Sequence, residues 1–221
     1  MENTAAGNGI FQDFFYEVPP IRIREPLAET LGAFKKQDAV VEYGFVDLVK
    51  MAGHACPTIA GSFLICQAAL KALYPDDTPV RGEVEVTVFG EVDEGVYGVI
   101  GQALSFITGA APLSGFRGLG HKFKRKDLLI FETHKIDPEA SCFKFRRVDE
   151  DRSVLVKFYP KRLPLPAESG RRLFELMEKV IWEAATEAEQ GEFQELWIGR
   201  VRDMLLKREN INRWLIVEEE D

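Results

Sequence analysis

Apolar residues recur along this chain with two periods, and each period predicts a type of element. From Pro57 to about Leu73 they recur at steps of three and four, as on a buried helical face, and proline suits the first helical position. From Val84 to Val88 valines alternate with polar residues, which is typical of a half-buried strand. The same patterns predict helices over 26–34, 43–51 and 95–108, and strands over 128–131, 143–148 and 154–158.

The two ends of the chain differ from this middle part. The first 25 residues hold Pro19-Pro20 and scattered aromatic residues, which predicts an arm (1–25) lying over the domain (26–160) or over a neighbouring subunit. The proline-rich linker YPKRLPLP then opens a C-terminal helical extension (161–221). Its apolar residues predict two amphipathic helices broken at EQGE, which form a helical hairpin, and a short strand in the tail NRWLIVEEED.

Charge and composition restrict the partners. With a formal net charge of -8, the 221-residue chain has no broad basic surface for nucleic acid or anionic membrane. No apolar run is long enough to span a bilayer, and the N-terminus lacks the features of a signal peptide. These observations favour a cytoplasmic protein whose partners are small molecules or proteins.

The residues able to bind a soft metal are few. The sequence has three cysteines and three histidines: Cys56, Cys66, Cys142, His54, His121 and His134. An odd and sparse set of cysteines argues against a disulfide framework and for a reducing compartment. Cys66 falls on the apolar face of its helix, and His134 and Cys142 flank a turn, so we interpret these three as structural.

The segment GHACP holds two of these residues one position apart. Cys56 directly precedes Pro57, so it is predicted to cap a helix, where unpaired amides and the helix dipole favour a thiolate. Thiolate and imidazole are typical zinc ligands, and iron, nickel or copper also suit them. Alternatively, His54 bonds to the turn and Cys56 packs as a small buried residue.

Two other segments are candidates for binding. His121 ends the glycine-rich stretch PLSGFRGLGH and is the preferred third ligand, although it is equally compatible with a surface position beside the basic run of Lys122, Lys124, Arg125 and Lys126. Gly95, Gly98 and Gly101 lie in a predicted helix, where each costs about 1 kcal/mol relative to alanine. Either close helix packing or a flat cofactor on that face would offset this cost.

The run from Tyr43 to Leu73 with its GHACP motif resembles the start of the FmdE-like domain, a family named after the FmdE component of formylmethanofuran dehydrogenase. The family hallmark H-G-H-x-C-P-G corresponds to Ala52–Thr58, and the resemblance covers roughly Glu42 to Phe131. It implies an α+β fold with helices packed on a mixed sheet (FmdE/GAPDH-domain-like). It also implies a homodimer that binds a metal such as zinc through His54 and Cys56.

The chain departs from the family pattern at other ligand positions. Where many members have a second cysteine and an aspartate, this chain has Gly95-Val96-Tyr97-Gly98, and a G-C-T loop is replaced by Gly109-Ala110-Ala111. His121, another chain, water or an exogenous ligand must complete the coordination, unless the site is degenerate. A glycine-lined site could also hold a flat cofactor such as a tetrapyrrole.

Three functions therefore remain open. The chain is a metal- or metal-cofactor-binding accessory protein or carrier, a metal-dependent enzyme acting on a small molecule, or an interaction module. For an enzyme, Glu91, Asp93 and Glu94 offer a general base, although carboxylates on a loop are usually solvated. The aromatic arm and the C-terminal helices are the segments that would dock a partner or a second copy.

Overall fold

The patterned segments fold into six α-helices and nine strands within residues 9–163, 165 and 167–220, which are the residues that this computed structural model describes. The helices are α1 (Pro26–Thr30), α2 (Phe45–Ala52), α3 (Pro57–Leu73), α4 (Tyr97–Thr108), α5 (Ala167–Ile181) and α6 (Glu187–Leu206). The strands are β1 (Ile21–Arg24), β2 (Val40–Tyr43), β3 (Val84–Phe89), β4 (Gly118–Leu119), β5 (Phe123–Lys124), β6 (Leu129–Glu132), β7 (Ser141–Arg147), β8 (Ser153–Phe158) and β9 (Leu215–Glu220).

A five-stranded sheet forms the centre of the fold, in the order β6-β3-β7-β8-β9. β3 and β6 are parallel, and the other neighbours are antiparallel. Parallel neighbours need a crossover connection, which α4 provides. Val84, Val86 and Val88 are completely buried, whereas Glu85 and Thr87 are partly exposed, so the predicted alternation is confirmed. The sheet is mixed and the fold is α+β, as expected.

Helix α3 packs across this sheet and is buried on nearly every side. Lys71 is its one exposed residue. At Gly61 an added Cβ would lie 2.9 Å from Cζ of Phe158, so the missing side chain lets the helix approach β8 closely. The prediction of a helix from Pro57 to Leu73 is confirmed at both ends.

The arm and the C-terminal segment both join the central core. Phe15 packs edge to face on Phe45 of α2, with ring centroids 5.1 Å apart, and Phe14 lies beneath the Arg202 guanidinium of α6. The predicted tail strand is present as β9, which pairs along the whole of β8. One hydrophobic cluster contains residues of all three predicted segments, so the boundaries at 25/26 and 160/161 cross a continuous core.

Predicted boundaries are wrong at two places where a capping interaction sets the start of the helix. α2 begins at Phe45 rather than at Tyr43. Gly44 is its N-cap, because the Asp47 carboxylate accepts the Gly44 N–H at 2.9 Å. EQGE does not break the C-terminal helices: Gly191 lies inside α6. The break precedes Thr186, whose hydroxyl accepts the Glu189 N–H while the Glu189 carboxylate accepts the Thr186 N–H.

A buried ionic cluster joins Glu25, the last residue of the arm, to two arginines of the central domain. The Glu25 carboxylate accepts hydrogen bonds from Arg81 at 2.7 Å and from Arg125 at 2.6 Å. Arg81 also donates to the carbonyls of Phe106 and Ile107 at the end of α4. Arg125 is only 3% exposed, and burial lowers its pKa, with the Glu25 charge opposing that effect. The expected solvated basic run is therefore interrupted by a structural residue.

Glycines make room for this cluster. An added Cβ would lie 2.2 Å from Arg125 Nε at Gly82 and 1.8 Å from Arg125 Nη1 at Gly109. Both glycines also have positive φ angles, +90° and +73°, that other residues rarely adopt. The two glycines thus leave the space in which the Arg125 guanidinium reaches the Glu25 carboxylate.

Glu25→Gln is expected to destabilise the protein by about 3 kcal/mol, because two largely buried arginines would lose their shared counter-charge. Urea denaturation measures the loss. Glu42→Gln, which breaks the exposed Arg22–Glu42 pair, is the control and should cost far less. Equal losses for the two variants would contradict this account of the cluster.

Candidate functional site

The GHACP segment is the turn between α2 and α3. Gly53 ends α2 in the left-handed conformation, with φ +76°, and its N–H bonds to the Val49 carbonyl at 2.8 Å. Cys56 is extended, with φ -150°, and Pro57 follows as the first residue of α3. The left-handed glycine therefore turns the chain at the end of α2, directly before the two candidate ligands.

His54 is exposed, and its ring is oriented by the turn. Nδ1 lies 3.0 Å from the Ala52 carbonyl oxygen, which can only accept, so a proton on Nδ1 completes this hydrogen bond. In neutral imidazole the second nitrogen, Nε2, then carries the free lone pair. A backbone carbonyl bonded to one ring nitrogen is a common way to orient a histidine that binds metal through the other.

Cys56 caps α3 with its sulfur. Sγ accepts the Ile59 N–H at 3.5 Å, and the residue is 8% exposed. The predicted cap is thus confirmed. These contacts also fit the alternative of a turn histidine beside a small buried cysteine, because the same hydrogen bonds stabilise the turn with or without a metal.

Trp197 of α6 fixes the middle of this turn, a contact that no local pattern in the sequence indicates. Its indole N–H donates to the Ala55 carbonyl at 2.9 Å, across 142 positions of the chain. The Phe193 ring packs beside it, with centroids 5.6 Å apart. In the sequence Trp197 only marks the apolar face of a helix. A long-range contact of this kind has no local signal.

The third predicted ligand does not join these two. His121 is exposed and follows Gly120 in the turn between β4 and β5. Over the described ranges, no three side chains of the His, Cys, Asp and Glu types form a group that could hold a metal ion. Hence His54, Cys56 and His121 do not make a three-ligand site within one chain of this structure.

The two remaining cysteines are buried in the core, and the third histidine, His134, is exposed. Burial raises the pKa of Cys66 strongly, and burial together with the nearby Asp137 charge raises the pKa of Cys142 to about 11. Both thiols therefore stay protonated at neutral pH. His134 packs edge to face on Phe89, with centroids 5.2 Å apart.

The three spaced glycines have different surroundings. Gly95 lies before α4 with φ +54° and open space beside it. At Gly98 an added Cβ would lie 2.4 Å from the Val92 carbonyl oxygen, and at Gly101 it would lie 2.7 Å from Cζ of Phe131. The protein's own atoms fill the space beside Gly98 and Gly101, so close packing accounts for these two glycines without a cofactor.

The acidic loop suggested for catalysis faces solvent. Glu91, Asp93 and Glu94 are all exposed before α4. Glu94 pairs with Lys135 at 2.5 Å, an interaction that raises the pKa of the lysine. Its carboxylate is thus engaged in an ion pair on the surface.

No protein-family model matches this chain, and no curated protein sequence is significantly similar to it. The likeness to the FmdE-like domain therefore rests on the GHACP motif and the residues around it. In the part of the chain that the structure describes, every helix is too short or too polar to cross a bilayer.

Trp197→Phe is expected to expose Cys56, because the turn loses a hydrogen bond worth about 1 kcal/mol, or about a fivefold change in local opening. Native-state thiol labelling, resolved by peptide mass spectrometry, measures this. Cys66 and Cys142 provide internal controls, and Trp182→Phe on the exposed end of α5 is the matched variant. Unchanged labelling of Cys56 in Trp197→Phe would show that the indole does not hold the turn.

Gly98→Ala is expected to destabilise the fold by about 1–2 kcal/mol, since the clash with a backbone carbonyl outweighs the gain in helix propensity. Gly191→Ala is the control, because Gly191 lies in α6 with nothing within 4 Å of its added Cβ. That variant should gain about 0.5–1 kcal/mol. Thermal or urea unfolding compares the two, and a stabilised Gly98→Ala would mean that the space is open to a ligand after all.

Proposed function

We propose that this chain binds a transition-metal ion, zinc in the first place, through His54 Nε2 and Cys56 Sγ of the GHACP turn. The observation that carries the proposal is the hydrogen-bond geometry of His54. Its Nδ1 is engaged by the Ala52 carbonyl at 3.0 Å, which leaves Nε2 as the free ligand nitrogen. Cys56 supplies a soft sulfur at the start of α3, where the amide dipoles favour negative charge.

A site with two protein ligands is open. Structural zinc sites have four protein ligands, whereas sites that bind exchangeable groups keep positions for water or another ligand. We infer that water, an exogenous ligand or a residue of another chain completes the coordination here. Such a site suits an accessory protein or carrier of a metal or metal complex, in keeping with the resemblance to the FmdE-like domain.

Two alternatives, a carrier of a flat cofactor and a metal-dependent enzyme, have less support from the geometry. A flat cofactor on the glycine face competes with Val92 and Phe131 for the same space. A catalytic base in the acidic loop would have to leave solvent, and Glu94 would have to leave Lys135. The proposed setting is the cytoplasm, where free thiols such as the three in this chain stay reduced.

Protein purified without added metal should carry about one metal ion per chain, measured by elemental analysis. His54→Ala and Cys56→Ser should each lower that content about tenfold or more, because each removes one of two protein ligands. His134→Ala, another exposed histidine, is the matched control, and His121→Ala should also leave the content unchanged. Equal metal content in His54→Ala, Cys56→Ser and the wild type would refute the site.

A further inference from the structure

A cavity of about 330 Å³ lies beside the end of α3, the start of β3 and the end of β7. Its volume is near the lower end of the range for small-molecule sites. Six residues with charged or hydroxyl-bearing side chains contribute to its lining: Arg24, Tyr74, Asp77, Glu83, Arg147 and Asp149. The GHACP turn lies at the other end of α3, a helix of 17 residues and about 25 Å, so this cavity is separate from the candidate metal site.

Tyr74 brings a buried hydroxyl group to this cavity. The residue is 5% exposed, and its hydroxyl has no hydrogen-bond partner among the residues that the structure describes. The Val80 N–H, which acts weakly on the hydroxyl oxygen, is itself a donor, so the hydroxyl proton still lacks an acceptor. A buried polar group without a partner is costly, and a ligand atom that accepts this proton would remove the cost.

The charges that act on the Tyr74 hydroxyl place it on the charged side of the cavity. Burial raises the pKa of Tyr74, and the Arg147 charge opposes this rise. The charges of Asp149 and Glu83 add to the rise in that pKa, and all three charged residues line the cavity. The Arg147 guanidinium lies over the Tyr74 ring, 4.2 Å from its centroid. The hydroxyl therefore stays protonated at neutral pH and is a donor to a group in the cavity.

Two charged groups of opposite sign in the cavity lining are available to a ligand. Arg147 is not one of them, because it donates two hydrogen bonds to the Asp149 carboxylate, at 3.0 Å and 2.6 Å. Glu83 is partly buried, and over the described ranges no ion pair or side-chain hydrogen bond involves its carboxylate. The Arg24 guanidinium has only the exposed Asp38 carboxylate near it, at 3.9 Å. Glu83 and Arg24 thus line one cavity without pairing with each other.

We propose that this cavity binds a small zwitterion, an α-amino acid, whose carboxylate contacts Arg24 and the Tyr74 hydroxyl and whose ammonium group contacts Glu83. A carboxylate accepts from both a guanidinium and a hydroxyl, and an ammonium group donates to a carboxylate. Asp77 lines the same cavity and adds a second carboxylate for the ammonium group. A ligand with a single charge would leave either Arg24 or Glu83 without a counter-charge. In the described part of the chain these carboxylates form no group that could hold a metal ion, which favours an organic cation.

Isothermal titration calorimetry of the full-length protein tests the proposal with each common L-amino acid in turn, at up to about 10 mM. At least one of them should bind with a Kd of about 1 mM or below. Two analogues of that amino acid, one without its carboxyl group and one without its amino group, should each bind at least about tenfold more weakly. No binding of any amino acid would overturn the proposal. Equally tight binding of either analogue would overturn it in favour of a ligand with a single charge.

Tyr74→Phe and Glu83→Gln should each weaken the binding of that amino acid about tenfold, because each removes a hydrogen bond to a charged group of the ligand. Urea denaturation should show that unliganded Tyr74→Phe is at least as stable as the wild type, since the lost hydroxyl has no partner. Tyr16→Phe and Asp76→Asn are the matched controls, because both residues are exposed and lie outside the cavity lining. Both controls should bind as the wild type does. Unchanged affinity in Tyr74→Phe and Glu83→Gln would overturn the proposed site.

Discussion

The burial of α3 is the constraint on which the rest of the structure depends. A helix this apolar must be covered on nearly every side, and the sheet, α2, α4 and α6 cover it together. Its first residue is fixed by Pro57 and its cap by Cys56, so the GHACP turn lies where the most buried element reaches the surface. Of the two candidate ligands, Cys56 is therefore buried at the edge of the core, and His54 is exposed to solvent.

Two long-range contacts keep the remaining segments in place around this core. Glu25 joins the arm to Arg81 and Arg125, and Trp197 joins the C-terminal helices to the GHACP turn. Both contacts satisfy polar groups that would otherwise be costly to bury. The arm and the C-terminal segment thus complete the central domain, and the C-terminal segment also reaches the candidate site.

The elements with a local signal could be predicted from the sequence. Pro57 and the apolar spacing after it set α3, and the valine alternation set β3. Prediction failed at EQGE, because Gly191 suggests a break there, whereas the capping box that begins at Thr186 sets the start of α6. The ion pair of Arg125 could not be predicted from the run of lysines around it, because its partner Glu25 lies 100 positions away in the sequence.

In the candidate site, too, the features with a local signal could be predicted, and those that depend on long-range packing could not. The cap by Cys56 followed from its position before Pro57, and the orientation of His54 follows from the turn. The expectation about His121 depended on how a glycine-rich loop folds back, and the structure places His121 in a separate hairpin turn. The contact of Trp197 needed the packing of α6 along α3, which only the three-dimensional structure shows.

Cobalt substitution tests the central claim, that Cys56 sulfur and His54 nitrogen bind one metal ion, most directly. The protein loaded with Co²⁺ should show a near-ultraviolet thiolate-to-cobalt charge-transfer band together with visible bands, because in the proposed site the Cys56 sulfur would be bonded directly to the metal. The charge-transfer band should vanish in Cys56→Ser. A wild-type spectrum without that band, or an unchanged band in Cys56→Ser, would contradict the account.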